Sequence, residues 1–187
     1  MKLTPLGIEG AWLAESPVWS DDRGLFREWF KSEEVKAATG RNFGFEQANI
    51  SLSSIGTLRG IHYSIAPRGQ AKWITCVSGS IQDVIVDIRP DSKTFGQWID
   101  VELMGASGNA LLISEGLGHG FLALEDNTAV AYLVSTPFSP TDEFEINPLD
   151  EKIGIRWGME LRSLKISGKD KIAPTLAERL AEGRLPK

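Results

Sequence analysis

The chain holds two histidines, His62 and His119, and two tyrosines, Tyr63 and Tyr132. An imidazole can take up or release a proton near neutral pH, and a phenol can donate one. Both histidines sit in glycine-rich stretches, Leu58-Arg59-Gly60-Ile61-His62-Tyr63 and Gly116-Leu117-Gly118-His119-Gly120-Phe121. Tyr132 lies in the apolar run Ala129-Val130-Ala131-Tyr132-Leu133-Val134, where its hydroxyl needs a partner if buried. A lone His or Tyr is structural more often than catalytic, so none of the four carries a function by itself. The single cysteine, Cys76, reads as a small buried hydrophobe, since one thiol makes neither an internal disulfide nor a Cys-rich zinc site.

The elements that must position these groups read as strands. Short runs succeed one another at 25–30, 45–51, 71–77, 81–88, 98–103, 110–113, 120–124 and 129–134, separated by Gly, Pro, Asp and Ser. Many short strands at such spacing predict a sandwich or barrel. The stretch 71–89 reads as a hairpin around Gly79. In its second arm Val84, Val86 and Ile88 share one face, and Asp83 and Asp87 share the other with Ile81 and Ile85. A carboxylate on a partly apolar face needs a partner or solvent, and the pattern leaves both open. Helix signals are few: 32–38, with Ser32 as cap and an end at Gly40, and 174–182, with Pro174 in the first turn and Gly183 past the end. One spacing conflicts with a regular strand. Arg59 and His62 are three apart and would point to opposite faces, so both serve one cavity only if the strand is irregular at Gly60.

Composition narrows the partners. The 187 residues suit one domain, and 20 basic against 25 acidic side chains give a net charge of −5. Such a chain has no overall field for nucleic acid or anionic lipid, so an anionic ligand must be held by a few local Arg and Lys. No apolar run approaches a membrane span, and the first residues lack the apolar stretch of a signal peptide, so a soluble, cytoplasmic protein is expected.

Read together, the segments resemble the nucleotide-sugar 3,5-epimerase family typified by dTDP-4-dehydrorhamnose 3,5-epimerase. The matching pieces run in family order from about Ser16 to Asp170. They include Asp22-Arg23-Gly24-Leu25-Phe26, Gln47-Ala48-Asn49-Ile50-Ser51, Gly56 to Tyr63, Gln70-Ala71-Lys72, Gly79 to Arg89, Ser92 to Gly96, Gly116 to Phe121 and Asp150 to Trp157. The resemblance implies an all-β, cupin-like jelly-roll barrel over 1–187, acting as a homodimer without metal or organic cofactor. It implies a dTDP-linked 4-keto-6-deoxy sugar as substrate. The 4-keto group acidifies the adjacent C–H bonds, so removing a proton gives an enolate and returning one from the opposite face inverts the centre. Such chemistry needs a base, an acid on the other face and positive charge at the enolate oxygen.

By the same resemblance His62 is the base, Asp170 its carboxylate partner, Tyr132 the acid and Lys72 the cation at the keto oxygen. Arg23, Arg59 and His119 match diphosphate-binding residues, while Phe26, Glu28, Gln47 and Asn49 match residues around nucleotide and sugar. Glu143 and Lys169 match two further substrate contacts. Arg23 and Glu28 are expected to come from the neighbouring subunit, because the N-terminal strands are exchanged across the family's dimer. Phe138 stands where many members carry a tyrosine that stacks on thymine; the stacking face is kept and the hydroxyl lost. Inversion at C3 alone, at C5 alone or at both remains open. A metal-dependent cupin would call for clustered histidines, often His-x-His, and none occurs. A barrel that kept binding and lost the chemistry would lack the base or the acid, and both are present.

Overall fold

The computed structural model describes residues 1–67 and 69–186. Its elements in chain order are β1 (Lys2–Pro5), β2 (Ala11–Glu15), β3 (Val18–Asp21), β4 (Gly24–Arg27), α1 (Ser32–Thr39), β5 (Gln47–Ser53), β6 (Thr57–Ser64), β7 (Lys72–Ser78), β8 (Ser80–Asp87), β9 (Trp98–Met104), β10 (Asn109–Ile113), β11 (Leu117–Ala123), β12 (Thr128–Val134), β13 (Glu143–Glu145), β14 (Lys165–Ile166), α2 (Gly168–Lys171) and α3 (Leu176–Ala181). Two antiparallel sheets are built from them. One runs β1-β2-β10-β7-β12-β5, the other β13-β6-β11-β8-β9, with β14 added parallel to β6. The hairpin β3-β4 forms a small sheet of its own.

Strand periodicity explains the layers. Ile74 and Cys76 on β7, Ile81 and Ile85 on β8, Leu111 and Ile113 on β10, and Val130 on β12 pack between the sheets. The alternate residues of β8, Val84, Val86 and Ile88, turn outward. They pack with Leu58, Tyr63, Trp157 and Leu176 beneath the C-terminal segment. On the other side Trp73 and Leu112 point away from the barrel and are covered by Val35 of α1 and by Phe43. Each fully buried Leu or Ile contributes roughly 1.5–3 kcal/mol by leaving water. Both faces of both sheets are therefore clad at their centres, and β8 is buried along its whole length.

Several expectations are refined. Ser32 is the first helical residue rather than the cap; Lys31 holds that position with no side-chain bond. The last helix begins at Leu176, not Pro174, because Thr175 and Glu178 form a capping box ahead of it. Gly183, at φ +64°, follows it as expected. Asp83 and Asp87, which could have faced solvent, are fully buried and partnered. Cys76 is buried, which pushes its thiol up to about 11.

Candidate active site

The apolar filling between the sheets stops short of one end, where inward positions become polar. There β5 presents Gln47 and Asn49, β6 presents Arg59 and His62, β7 presents Lys72 and β12 presents Tyr132. Together with Phe138, Glu143, Lys169 and Asp170 they line an open cavity of about 530 Å³. A smaller chamber of about 170 Å³ adjoins it, lined by Arg59, His62, Lys72, His119 and Tyr132 among others.

The spacing conflict in β6 is resolved by a bulge. Opposite β6, His119 pairs with His62 and Phe121 with Arg59, so Gly60 and Ile61 together face the single residue Gly120. The extra residue restores His62 to the face that Arg59 occupies. The Gly60–Ile61 peptide is cis, and Gly60 has φ +128°. A side chain at Gly60 would strike the Gly120 Cα and come within 2.9 Å of the His119 carbonyl oxygen. Gly120 makes the matching room, since a methyl there would lie 2.7 Å from Ile61 Cδ1 and 2.8 Å from the Arg59 carbonyl oxygen.

His62 Nε2 lies 2.8 Å from Asp170 Oδ1. Asp170 is held by its helix: Ser167 caps α2 and accepts from the Asp170 backbone N–H at 3.0 Å. Burial alone would raise the Asp170 carboxyl. Hydrogen bonds from His62, from Ser167 and from the Gly60 backbone outweigh it and hold the group below its ordinary value. An ionised Asp170 accepts the Nε2 proton, which leaves Nδ1 as the lone-pair nitrogen. The carboxylate side chain is 5 % exposed and the imidazole 41 %, so the pair is anchored at one end and open to the cavity at the other.

Tyr132 stands in the other sheet, between Asn49 on β5 and Ile74 on β7. Imidazole and phenol thus reach one cavity from different walls. Burial raises the Tyr132 phenol, which keeps it protonated near neutrality. Lys72 is buried, and its Nζ donates to the His62 carbonyl at 3.4 Å. Burial lowers its ammonium; the charges of Glu143 and Asp83 oppose that fall. Burial raises the Glu143 carboxyl, against Lys72 and a bond from Gln70.

The remaining predicted residues divide into three groups. Gln47 donates to Asn49 Oδ1 at 2.8 Å and accepts from the Phe138 backbone N–H at 3.1 Å; Arg59 donates to Ser53 Oγ at 3.2 Å; Lys169 pairs with Glu145 at 2.8 Å. All these lie at the main cavity. His119 is deeper, in the inner chamber, with Nε2 3.0 and 2.9 Å from the two oxygens of Asp83. Burial pulls its imidazole down, against the Asp83 charge. Arg23, Phe26 and Glu28 do not line the cavity of this chain. Arg23 pairs with Asp21 at 2.5 Å, Glu28 pairs with Lys31 at 2.7 Å, and Arg23 and Phe26 border a surface groove on the β3-β4 hairpin. Tyr63 is structural: its hydroxyl donates to the Arg184 carbonyl at 2.9 Å, and burial pushes it up to about 12. Sequence reasoning passed over Gln70, Lys165 and Ser167, which also line the cavity. Gln70 carried a signal in Gln70-Ala71-Lys72 and Ser167 one in Ser167-Gly168-Lys169-Asp170, whereas Lys165 carried none.

The chain matches known proteins along nearly its whole length. Residues 5–178 match the family model described as dTDP-4-dehydrorhamnose 3,5-epimerase. The chain is 46 % identical over 186 residues to the dTDP-4-dehydrorhamnose 3,5-epimerase of Mycolicibacterium smegmatis, covering 100 % of this chain and 91 % of that one. It is similar in structure to the rmlC epimerase of Mycobacterium tuberculosis, with a TM-score of 0.95 and 41 % identity over 100 % of this chain and 94 % of that one. It is also similar to ChmJ, a 3'-monoepimerase from Streptomyces bikiniensis solved in complex with dTDP-quinovose. There the TM-score is 0.93 and the identity 43 %, over 98 % and 92 % of the two chains. These likenesses also give the two facing sheets their type, a cupin fold. Matched along nearly its whole length by the family model and by these relatives, the chain belongs to the dTDP-4-dehydrorhamnose 3,5-epimerase family.

Proposed function

We propose that this chain epimerises a dTDP-4-keto-6-deoxyhexose, at C3 and C5 or at C3 alone, with His62 as base and Tyr132 as acid. The observation that carries the assignment is the convergence of His62 and Tyr132, from different sheets, on one cavity that also holds the Lys72 ammonium. His62 Nδ1 takes the proton from the carbon next to the ketone, and the bond electrons move onto the keto oxygen. Lys72 stabilises that oxyanion; a charged donor in a buried site is worth far more than in water. Tyr132 then returns a proton from the opposite face. The imidazolium on His62 is stabilised meanwhile by Asp170. Solvent restores the phenol and removes the proton from His62, so no net charge accumulates over a cycle.

Arg59, Lys165 and Lys169 gather positive charge at the mouth of a chain that is acidic overall. They suit a diphosphate, for which guanidinium offers a planar fork of donors. Phe138, 63 % exposed at that mouth, offers a ring for the base to stack on. The second reading concerns the partner. Trp19, Leu25 and Phe26 on the β3-β4 hairpin are 50 %, 51 % and 64 % exposed, which suits a face covered by another subunit. On this reading Arg23, Phe26 and Glu28 complete the cavity of a second copy rather than their own.

The test is incubation with dTDP-4-keto-6-deoxyglucose in deuterium oxide, followed by NMR. Deuterium at C3, or at C3 and C5, with an inverted product supports the proposal. Binding without exchange at either carbon refutes it.

A further inference from the structure

Gln70 lies two residues before Lys72, in the connection between β6 and β7, and is 8 % exposed. Its carboxamide nitrogen donates twice, to Glu143 Oε1 at 2.9 Å and to the Thr136 carbonyl at 2.9 Å. The first bond places a carboxylate of the cavity wall. The second holds the segment that leaves β12 and carries Phe138. Three more bonds clamp that segment to the residues around Gln70. The Ala71 N–H donates to Ser135 Oγ at 2.8 Å, the Ser135 N–H to the Ala71 carbonyl at 3.0 Å, and Thr136 Oγ1 to the Gly69 carbonyl at 2.6 Å. Beyond it the Phe138 N–H reaches Gln47.

We propose that Gln70 is a positioning residue that sets the Glu143 carboxylate and the Phe138 segment together, linking the wall beside Lys72 to the aromatic mouth through one carboxamide. A primary amide has two N–H donors, and here each is used on a different part of the site. A buried donor so placed leaves an acceptor unsatisfied on both sides when it is lost. The inference rests on the reading of the cavity given above and adds a residue which that reading left without a role.

Two readouts separate a link from a merely structural role. Binding of dTDP reports on the mouth without any turnover. The pH dependence of kcat for C–H exchange follows His62, and Glu143 enters it through its charge, being faced by Lys72 on β7, His62 on β6, Lys169 on α2 and Tyr132 on β12. Gln70→Met keeps the length of the side chain and removes both donors. It is expected to raise the Kd for dTDP about three- to tenfold. It is also expected to shift the acidic side of the kcat profile downward, because Glu143 loses a bond that favours its ionised form and its weakened charge then steadies the His62 imidazolium less. In a Glu143→Gln background the pH movement should vanish while the weaker dTDP binding persists. Gln70→Glu, which sets an acceptor against both oxygens, should weaken dTDP binding further and move the pH profile the opposite way, since it adds a negative charge, and it serves if the methionine variant does not fold. Movement of only one readout, or a pH shift that persists with Glu143→Gln, overturns the link. Exchange by the wild-type protein in the same assay scores the functional reading separately.

Discussion

Gly120→Ala tests whether the β6 bulge is what aims His62. Gly120 has no left-handed backbone to lose, so the effect is one of space alone. The new methyl would lie 2.7 Å from Ile61 Cδ1, 2.8 Å from the Arg59 carbonyl oxygen and 3.2 Å from the Gly60 Cα. Ile61 is completely buried and cannot swing aside into solvent, and the other two atoms are backbone. Strand β6 must therefore move outward at the bulge. Overpacking of this kind costs about 1–3 kcal/mol. For a chain of this size that lowers Tm by roughly 2–4 °C per kcal/mol, about 2–12 °C in all. The same movement reaches His62 directly and Asp170 through the Gly60 backbone bond. A displacement of about 1 Å at a reacting group can cost about a hundredfold in rate. The assays are thermal unfolding and the initial rate of deuterium incorporation into the sugar. A variant that melts with the wild type and exchanges at the wild-type rate would refute the reasoning.

Other perturbations give separate outcomes. Asp170→Asn removes the charged partner of His62 and should lower the exchange rate roughly 10- to 150-fold, the value of one charge-assisted bond of about 1.5–3 kcal/mol; steady-state kinetics at constant pH checks it. Asp87 bonds Arg89, Ser92 and Thr94; these overcome its burial and hold its carboxyl at about 2. A carboxyl lowered by folding stabilises above its unfolded value and loses that contribution as pH falls through the folded one. Between pH 4 and 2 the wild type should lose roughly 1–2 kcal/mol through this group, and acid unfolding of Asp87→Asn should be shallower in that window. Phe138→Tyr restores a hydroxyl at the mouth and should change the ratio of C3 to C5 exchange read by NMR; an unaltered ratio removes Phe138 as a determinant of which centre inverts.

Much of this was legible in the chain itself because strand periodicity is strict. The split of Val84, Val86 and Ile88 from Ile81 and Ile85 appears in the structure as two separate cores. The impossible spacing of Arg59 and His62 announced an irregularity, and the bulge lies at Gly60. What stayed hidden depends on pairing between distant strands. Whether Asp83 met solvent or a partner turned on β11 lying beside β8, which brings His119 to it. The strands β1, β2 and β3 are short and interrupted by Pro5 and Pro17, so their pattern is too brief to read. Helix α2 has four residues, less than a period and a half, although it carries Asp170. The two hydrogen bonds donated by Gln70 could not be read at all, since nothing local places Thr136 and Glu143 beside it.

The central claim is that imidazole and phenol act on opposite faces of one enolate. Tyr132→Phe and His62→Ala, each incubated with dTDP-4-keto-6-deoxyglucose in deuterium oxide, test it most directly. The account predicts that Tyr132→Phe still exchanges the acidic C–H with deuterium but returns it without inversion, and that His62→Ala exchanges several orders of magnitude more slowly while keeping its fold. An inverted product from Tyr132→Phe at the wild-type rate, or exchange by His62→Ala within about tenfold of wild type, would contradict it.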